Sequence, residues 1–266
     1  MLTDAHCHPF DLREQMPNAE EARRARNAAC AASSWNLRQF EFHEGLAQNA
    51  KADNAPPLVL CYAVHPQLPA SVLNLDEYYS TLEELAASGR LEAVGEAGFD
   101  LFDETYKTTE KIQDEIFAVH LEAAMKHHLP MVVHGRKAMH KIFPFSKELK
   151  KLPSVIFHSW PGTLVEGESL LHRGVNVFFS FGAAIVNNHH EAQRCCASLP
   201  LDRLLVETDA PYQPLRGKDF SSWEDLPAII QKAAKLRNDA GSPGKSADEL
   251  EEIIEKNFRR AFQFHD

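Results

Sequence analysis

Short apolar runs recur along this chain at intervals that leave room for a helix between them: Leu2–His6, Ala28–Ser33, Leu58–Val64, Leu91–Glu96, Met131–His134, Val155–His158, Val175–Ser180 and Leu204–Glu207. Most are continuously apolar rather than alternating, the pattern of strands covered on both faces in a parallel sheet. Helix-compatible stretches separate them. Leu75–Ser88 carries Leu82, Leu85 and Ala86 at helical spacing before Gly89, and Lys111–His127 carries Ile112, Ile116, Val119, Ala123 and Met125. This alternation of strand and helix predicts a (β/α)8 TIM barrel, a fold of ~250 residues. Closing helices are expected over Ser221–Arg237 and Ser246–Phe264, the second opened by a capping box, Ser246-Ala-Asp-Glu249. Asn49–Pro57 and Arg237–Lys245 read as surface connections. No linker or close repeat divides the chain, so one domain over 1–266 is expected. An open doubly wound sheet is the competitor, and the lack of a Gly-x-Gly-x-x-Gly or Walker-type loop after the first strand counts against it.

Composition narrows the class. The chain's 266 residues suffice to bury a substantial core, and 44% hydrophobic with 25% charged residues is ordinary for a globular protein. Five cysteines, an odd number without Cys-x-x-Cys spacing, argue against a disulfide framework and against a thiolate zinc site. Cys30 and Cys61 read as small buried hydrophobes, and Cys7, between two histidines, as facing away from them. The first residues lack a signal-peptide pattern, and no apolar stretch is long enough to span a membrane, so a cytoplasmic setting is expected. The formal net charge is −10. A protein that gripped nucleic acid through its overall field would be basic, so any phosphate must be met by local positive charge.

Chemistry in such a barrel gathers at the carboxyl ends of the strands. Those ends carry His6-Cys-His8, Glu96, His134, His158 and Asp209, and the third run is followed by His65. Two histidines two apart on an extended segment project to the same side, roughly 6.5 Å apart at Cα, and can share a cation. Alone, each residue is explained as a satisfied core group. Together, six metal-competent side chains terminating five apolar strands would each cost on the order of 1–3 kcal/mol if left unpaired. A shared metal centre removes that cost. Nitrogen and carboxylate donors without thiolate suit Mg²⁺, Mn²⁺, Zn²⁺, Fe²⁺ or Co²⁺, and six side chains exceed what one ion needs, which points to two divalent metal ions.

Several segments resemble, in order and spacing, the TatD family of metal-dependent deoxyribonucleases within the amidohydrolase-like superfamily. They are Asp4-Ala-His-Cys-His8, Val64-His-Pro66, Val94-Gly-Glu-Ala-Gly-Phe-Asp100, Pro130-Met-Val-Val-His-Gly-Arg136, His158, Leu205-Val-Glu-Thr-Asp-Ala-Pro211 and Asn257-Phe-Arg-Arg-Ala-Phe262. The resemblance implies that His6, His8, Glu96 and Asp209 hold one metal and that Glu96, His134 and His158 hold a second, with Glu96 bridging. It further implies hydrolysis of DNA by a metal-activated water, exonuclease-like in the 3'-5' direction on single-stranded or frayed ends, with Glu96 and Asp209 as the catalytic carboxylates. A carboxylate has two oxygens and can span two cations. His65 sits in a matching motif but not at a ligand position, and reads either as a substrate contact or as support for the ligands. Arg136 is a candidate phosphate clamp, because guanidinium offers paired donors to an oxyanion. Glu207 shares the orientation of Asp209 and is placed to steady a ligand or loop. Phe99, Phe102, Trp160 and Tyr212, near strand ends, read either as base-stacking surfaces or as covers for the core.

Two segments depart from the family pattern: Gly98-Phe-Asp100 with the residues that follow it, and Ser159-Trp-Pro-Gly-Thr163 after His158. The metal positions are intact while the substrate-facing loops differ. A metallohydrolase acting on a small ester, amide or phosphoester is therefore the second reading, and a scaffold with a vestigial site the third.

Overall fold

Apart from Arg136, every residue assigned to a strand is buried, as it must be when helices cover one face and neighbouring strands' side chains fill the other. The computed structural model describes residues 1–68, 73–241 and 245–264. Its strands are β1 (Leu2–Cys7), β2 (Ala28–Ser34), β3 (Leu58–Tyr62), β4 (Ala93–Asp100), β5 (Met131–Arg136), β6 (Val155–Phe157), β7 (Val177–Phe181) and β8 (Leu204–Val206). They pair in chain order, all parallel, in one eight-stranded sheet with helices between, the expected TIM barrel. β8 is short, and the last seam is tied just beyond it: the Asp209 amide donates to the His6 carbonyl at 2.9 Å and the His8 amide to the Ala210 carbonyl at 2.7 Å. The buried Asp4 carboxyl adds to that seam by accepting from the Thr208 amide and meeting its hydroxyl at 2.6 Å.

Inside the barrel, small residues on β1 and β2 (Ala5, Ala29, Ala31) share one cluster with larger ones on β5 to β8 (Val132, Ile156, Phe178, Leu205). Phe258 and Ala261 of the helix Ala247–Ala261, with Phe262 just after it, close this cluster. Ser154, just ahead of β6, donates to the Ala261 carbonyl, so this helix covers the amino end and leaves the carboxyl end free for chemistry. The capping box at Ser246 and Glu249 is present.

Three expectations are adjusted. Glu96 and His134 lie within their strands rather than at the ends, because β4 and β5 continue to Asp100 and Arg136. Gly98 (φ +155°) permits this: a Cβ there would sit 1.9 Å from the His134 carbonyl oxygen. The connection expected from Asn49 begins later, since the helix Leu37–Ala52, capped by Asn36, runs through that segment. The connection expected over Arg237–Lys245 also begins late, the helix Leu226–Asp239 continuing past Arg237, and its positions 242–244 lie outside the described residues. All five cysteines are buried and free, with Cys7 turned toward the Ala31 carbonyl and away from the histidines. No described helix is long and apolar enough to cross a membrane.

Candidate metal centre

The register of two ladders shifts where chemistry is needed, in β1 between Asp4 and Cys7 and in β4 between Val94 and Ala97, so His6 and Glu96 both lie in irregular stretches. Such irregularities re-aim a side chain without ending the strand. His6 Nε2 stands 3.0 Å from Glu96 Oε2 and 3.6 Å from Asp209 Oδ1. His8 Nε2 is 3.1 Å from His6 Nε2, 3.4 Å from Asp209 Oδ1 and 3.8 Å from Glu96 Oε2. The other Glu96 oxygen, Oε1, meets His134 Nδ1 at 2.7 Å, His158 Nε2 at 3.1 Å and His65 Nε2 at 3.2 Å. Four expected ligand histidines and His65 thus converge on the Glu96 carboxylate, whose two oxygens face different sets of imidazoles, and Asp209 joins them through His6 and His8.

Hydrogen bonds behind these rings decide which nitrogens carry protons. Glu207 Oε1 accepts from the Ser159 amide at 2.7 Å and lies 3.1 Å from His158 Nδ1, which holds the Nδ1 proton from behind and turns Nε2 to the centre. Asp100 Oδ2, 3.2 Å from His134 Nε2, does the same for Nδ1 of that ring, and is itself held by Gln67 Nε2 at 2.7 Å. His65 is the reverse case. Its Nδ1 accepts from the Gln67 amide at 3.1 Å, so its Nε2 carries the proton and is a donor. Asp209, at φ +55°, keeps Oδ1 toward His6 and His8 while Oδ2 accepts from Gln213 Nε2 at 2.7 Å.

The electrostatics keep both central carboxylates charged. Burial pushes the Glu96 carboxyl up, but the imidazoles of His65, His158 and His6 outweigh it and hold it well below the usual range. Burial likewise opposes ionisation of Asp209, and the His8 hydrogen bond with the nearby His158 and His6 overcomes it. Burial and the neighbouring His158 hold the His6 imidazole below its ordinary value, while burial of Asp100 is overcome by bonds from His134, Gln67 and the Phe102 amide, leaving it at about 2. Among the described residues neither Glu96 nor Asp209 is paired with a lysine or arginine. Two buried carboxylates ringed by imidazoles, with no fixed cation, form a donor set suited to divalent ions, and three overlapping groups qualify: His6, Glu96 and His158; His6, His8 and Asp209; His65, Glu96 and His134.

The centre opens into a cavity of about 1150 Å³ whose wall includes Arg136. Arg136 is exposed, its guanidinium stacked 3.7 Å from the centroid of Phe102. The four loop aromatics divide: Phe99 and Trp160 belong to the core, at 0% and 4% exposure, while Phe102 and Tyr212 are 51% and 50% exposed. Sequence reasoning assigned no role to Asp100, Gln67 or Gln213. Asp100 stood in a quoted motif and Gln67 two residues after His65, but only strand pairing reveals what they touch.

The model of the TatD related DNase family matches residues 3–263. A protein of Pectobacterium carotovorum subsp. carotovorum called 3'-5' ssDNA/RNA exonuclease TatD is 31% identical over 207 residues, covering 75% of this chain and 76% of that one. The uncharacterized metal-dependent hydrolase YcfH of Escherichia coli K12 is 30% identical over 274 residues, covering 98% and 95%. The crystal structure of YJJV, a TatD homologue from Escherichia coli K12, superposes with a TM-score of 0.84 at 24% identity, covering 99% of this chain and 98% of that one.

Proposed function

Because the chain belongs to the TatD related DNase family and is a metal-dependent hydrolase of that type, we propose that it cleaves phosphodiester bonds of DNA, working exonuclease-like in the 3'-5' direction from single-stranded or frayed ends. In this reading His6, His8, Glu96 and Asp209 hold one divalent ion, and Glu96, His134 and His158 hold a second. The observation that carries it is the division of Glu96, with Oε2 toward His6 and His8 and Oε1 toward His134 and His158. Bound Mg²⁺, Mn²⁺ or Zn²⁺ supplies Lewis acidity to a phosphoryl oxygen and makes water a nucleophile near neutral pH.

The chain's own groups supply the rest. Glu207 and Asp100 fix the rings of His158 and His134 so that lone pairs point inward. Asp209, kept ionised and oriented by Gln213, accepts a proton from the attacking water. His65 directs an N–H into the centre, so it is assigned to a phosphate oxygen rather than to a metal. Arg136 binds a phosphate at the rim, where its charge meets no carboxylate among the described residues. The test is incubation of the pure protein with end-labelled single-stranded DNA and Mg²⁺ or Mn²⁺. Cleavage is expected to stop in EDTA and to fall on the order of 10²–10⁴-fold in Asp209→Asn. EDTA-insensitive cleavage, undiminished activity in the variant, or turnover of small phosphoesters orders of magnitude above that of DNA would overturn this reading.

A further inference from the structure

Resting on the DNA-cleaving reading above, we propose that Phe102 and Tyr212 are two base-stacking platforms, one on each side of the centre, that seat the nucleotides flanking the scissile phosphate. Among the described residues, the large hydrophobic side chains left exposed are Leu37, Phe102, Val165 and Tyr212. Each follows an even-numbered strand, β2, β4, β6 or β8, so all four stand at the carboxyl end and none at the amino end. Apolar surface gathered around a polar centre marks a binding site. Only the two aromatic members line the cavity itself.

The two residues are tethered to opposite halves of the donor cluster, Phe102 through its backbone and Tyr212 through its ring. The Phe102 amide donates to Asp100 Oδ1 at 2.9 Å, and the other oxygen of Asp100 faces His134 Nε2. The Tyr212 ring meets the His8 ring edge-on, with centroids 5.2 Å apart, and its hydroxyl donates to Asp11 Oδ2 at 3.2 Å. One platform therefore adjoins the His134 half and the other the His8 half, with Glu96 between. A phosphate at Glu96 leaves its two sugars, and then its two bases, directed outward to either side. A base presents a π face that an exposed ring covers, and Arg136 stacked on Phe102 adds a cation where that nucleotide's phosphate lies. Bases stacked within a duplex have no free faces to offer, so the platforms accept only nucleotides that have left the stack.

The experiment uses the full chain with Mn²⁺ and short single-stranded oligonucleotides whose terminal linkage resists hydrolysis, carrying 2-aminopurine on one or the other side of that linkage. Binding to the unsubstituted protein is expected to quench the fluorophore at both positions. Phe102→Ala is expected to restore fluorescence at one position and Tyr212→Ala at the other, each weakening binding about five- to a hundredfold. Tyr212→Phe, which keeps the ring and loses only the Asp11 bond, is expected to quench normally. Unchanged quenching and affinity in both alanine variants, while the protein still cleaves DNA, would overturn the platforms and leave the nuclease reading standing. Failure of the unsubstituted protein both to bind and to cleave any oligonucleotide would overturn the two together.

Discussion

At the scale of single residues, the histidines are sorted by what stands behind them. A neutral imidazole has one lone pair and one N–H, so whichever nitrogen is engaged at the back determines what the front can do. Carboxylates behind His134 and His158 hold those rings from the back and turn one nitrogen of each to the centre, where it can ligate a cation once unprotonated, whereas the Gln67 amide behind His65 makes it an inward donor. Glu207→Ala is expected to weaken binding of the cation assigned to His134 and His158 by about 10- to 100-fold while the ion assigned to His6 and His8 is held more nearly as before. Equilibrium titration with Mn²⁺ checks this, and two unchanged binding constants would contradict it. The residues that meet at the centre, proposed above as ligands, were readable in the sequence, because each is a polar residue ending or interrupting an apolar run. Their supports were not. Asp100 meets His134 and Gln67 across strands, and Gln213 reaches back to Asp209 within one loop, and no residue pattern along the chain announces either.

At the scale of elements, the eight apolar runs and the closing helices were legible because burial on both faces leaves a continuous apolar signature. Their ends were less so. β4 and β5 extend past Glu96 and His134 because Gly98 allows the backbones to approach, and a single glycine does not reveal a close approach in the sequence. The same limit hid the fates of the loop aromatics: Phe99 lies inside β4 and is buried, while Phe102, just beyond that strand, is turned outward. Asn257 shows what the C-terminal motif does for the fold. Its buried side-chain amide donates to the carbonyls of Leu201 at 2.9 Å and Leu204 at 2.8 Å, fastening the closing helix to the start of β8. Asn257→Ala is expected to cost about 1–3 kcal/mol, since a buried carbonyl loses its donor. Urea unfolding with an unchanged m-value would measure this, and a midpoint equal to that of the unsubstituted protein would contradict it.

At the scale of the whole molecule, stability and function draw on different histidines. His120 is buried away from the centre, its Nε2 accepting from the Val64 amide at 3.0 Å and its Nδ1 donating to the Ile116 carbonyl at 2.7 Å; burial lowers its pKa to about 4. The unfolded chain therefore takes up this proton first as pH falls. The stabilisation is complete above about 6.5 and is lost progressively toward pH 4, on the order of 3 kcal/mol. His120→Gln, which preserves an acceptor and a donor, is expected to flatten the fall of unfolding free energy over that window, and an unaltered slope would contradict the assignment. The formal charge of −10 likewise takes on a different meaning once the site is seen, because it includes Glu96 and Asp209, the carboxylates proposed to recruit cations. The central claim is that Glu96 bridges two ions, and anomalous scattering from a crystal soaked in Mn²⁺ tests it most directly. Two peaks roughly 3.5–4 Å apart with the Glu96 carboxylate between them are expected. A single peak, or two peaks that Glu96 does not bridge, would contradict it.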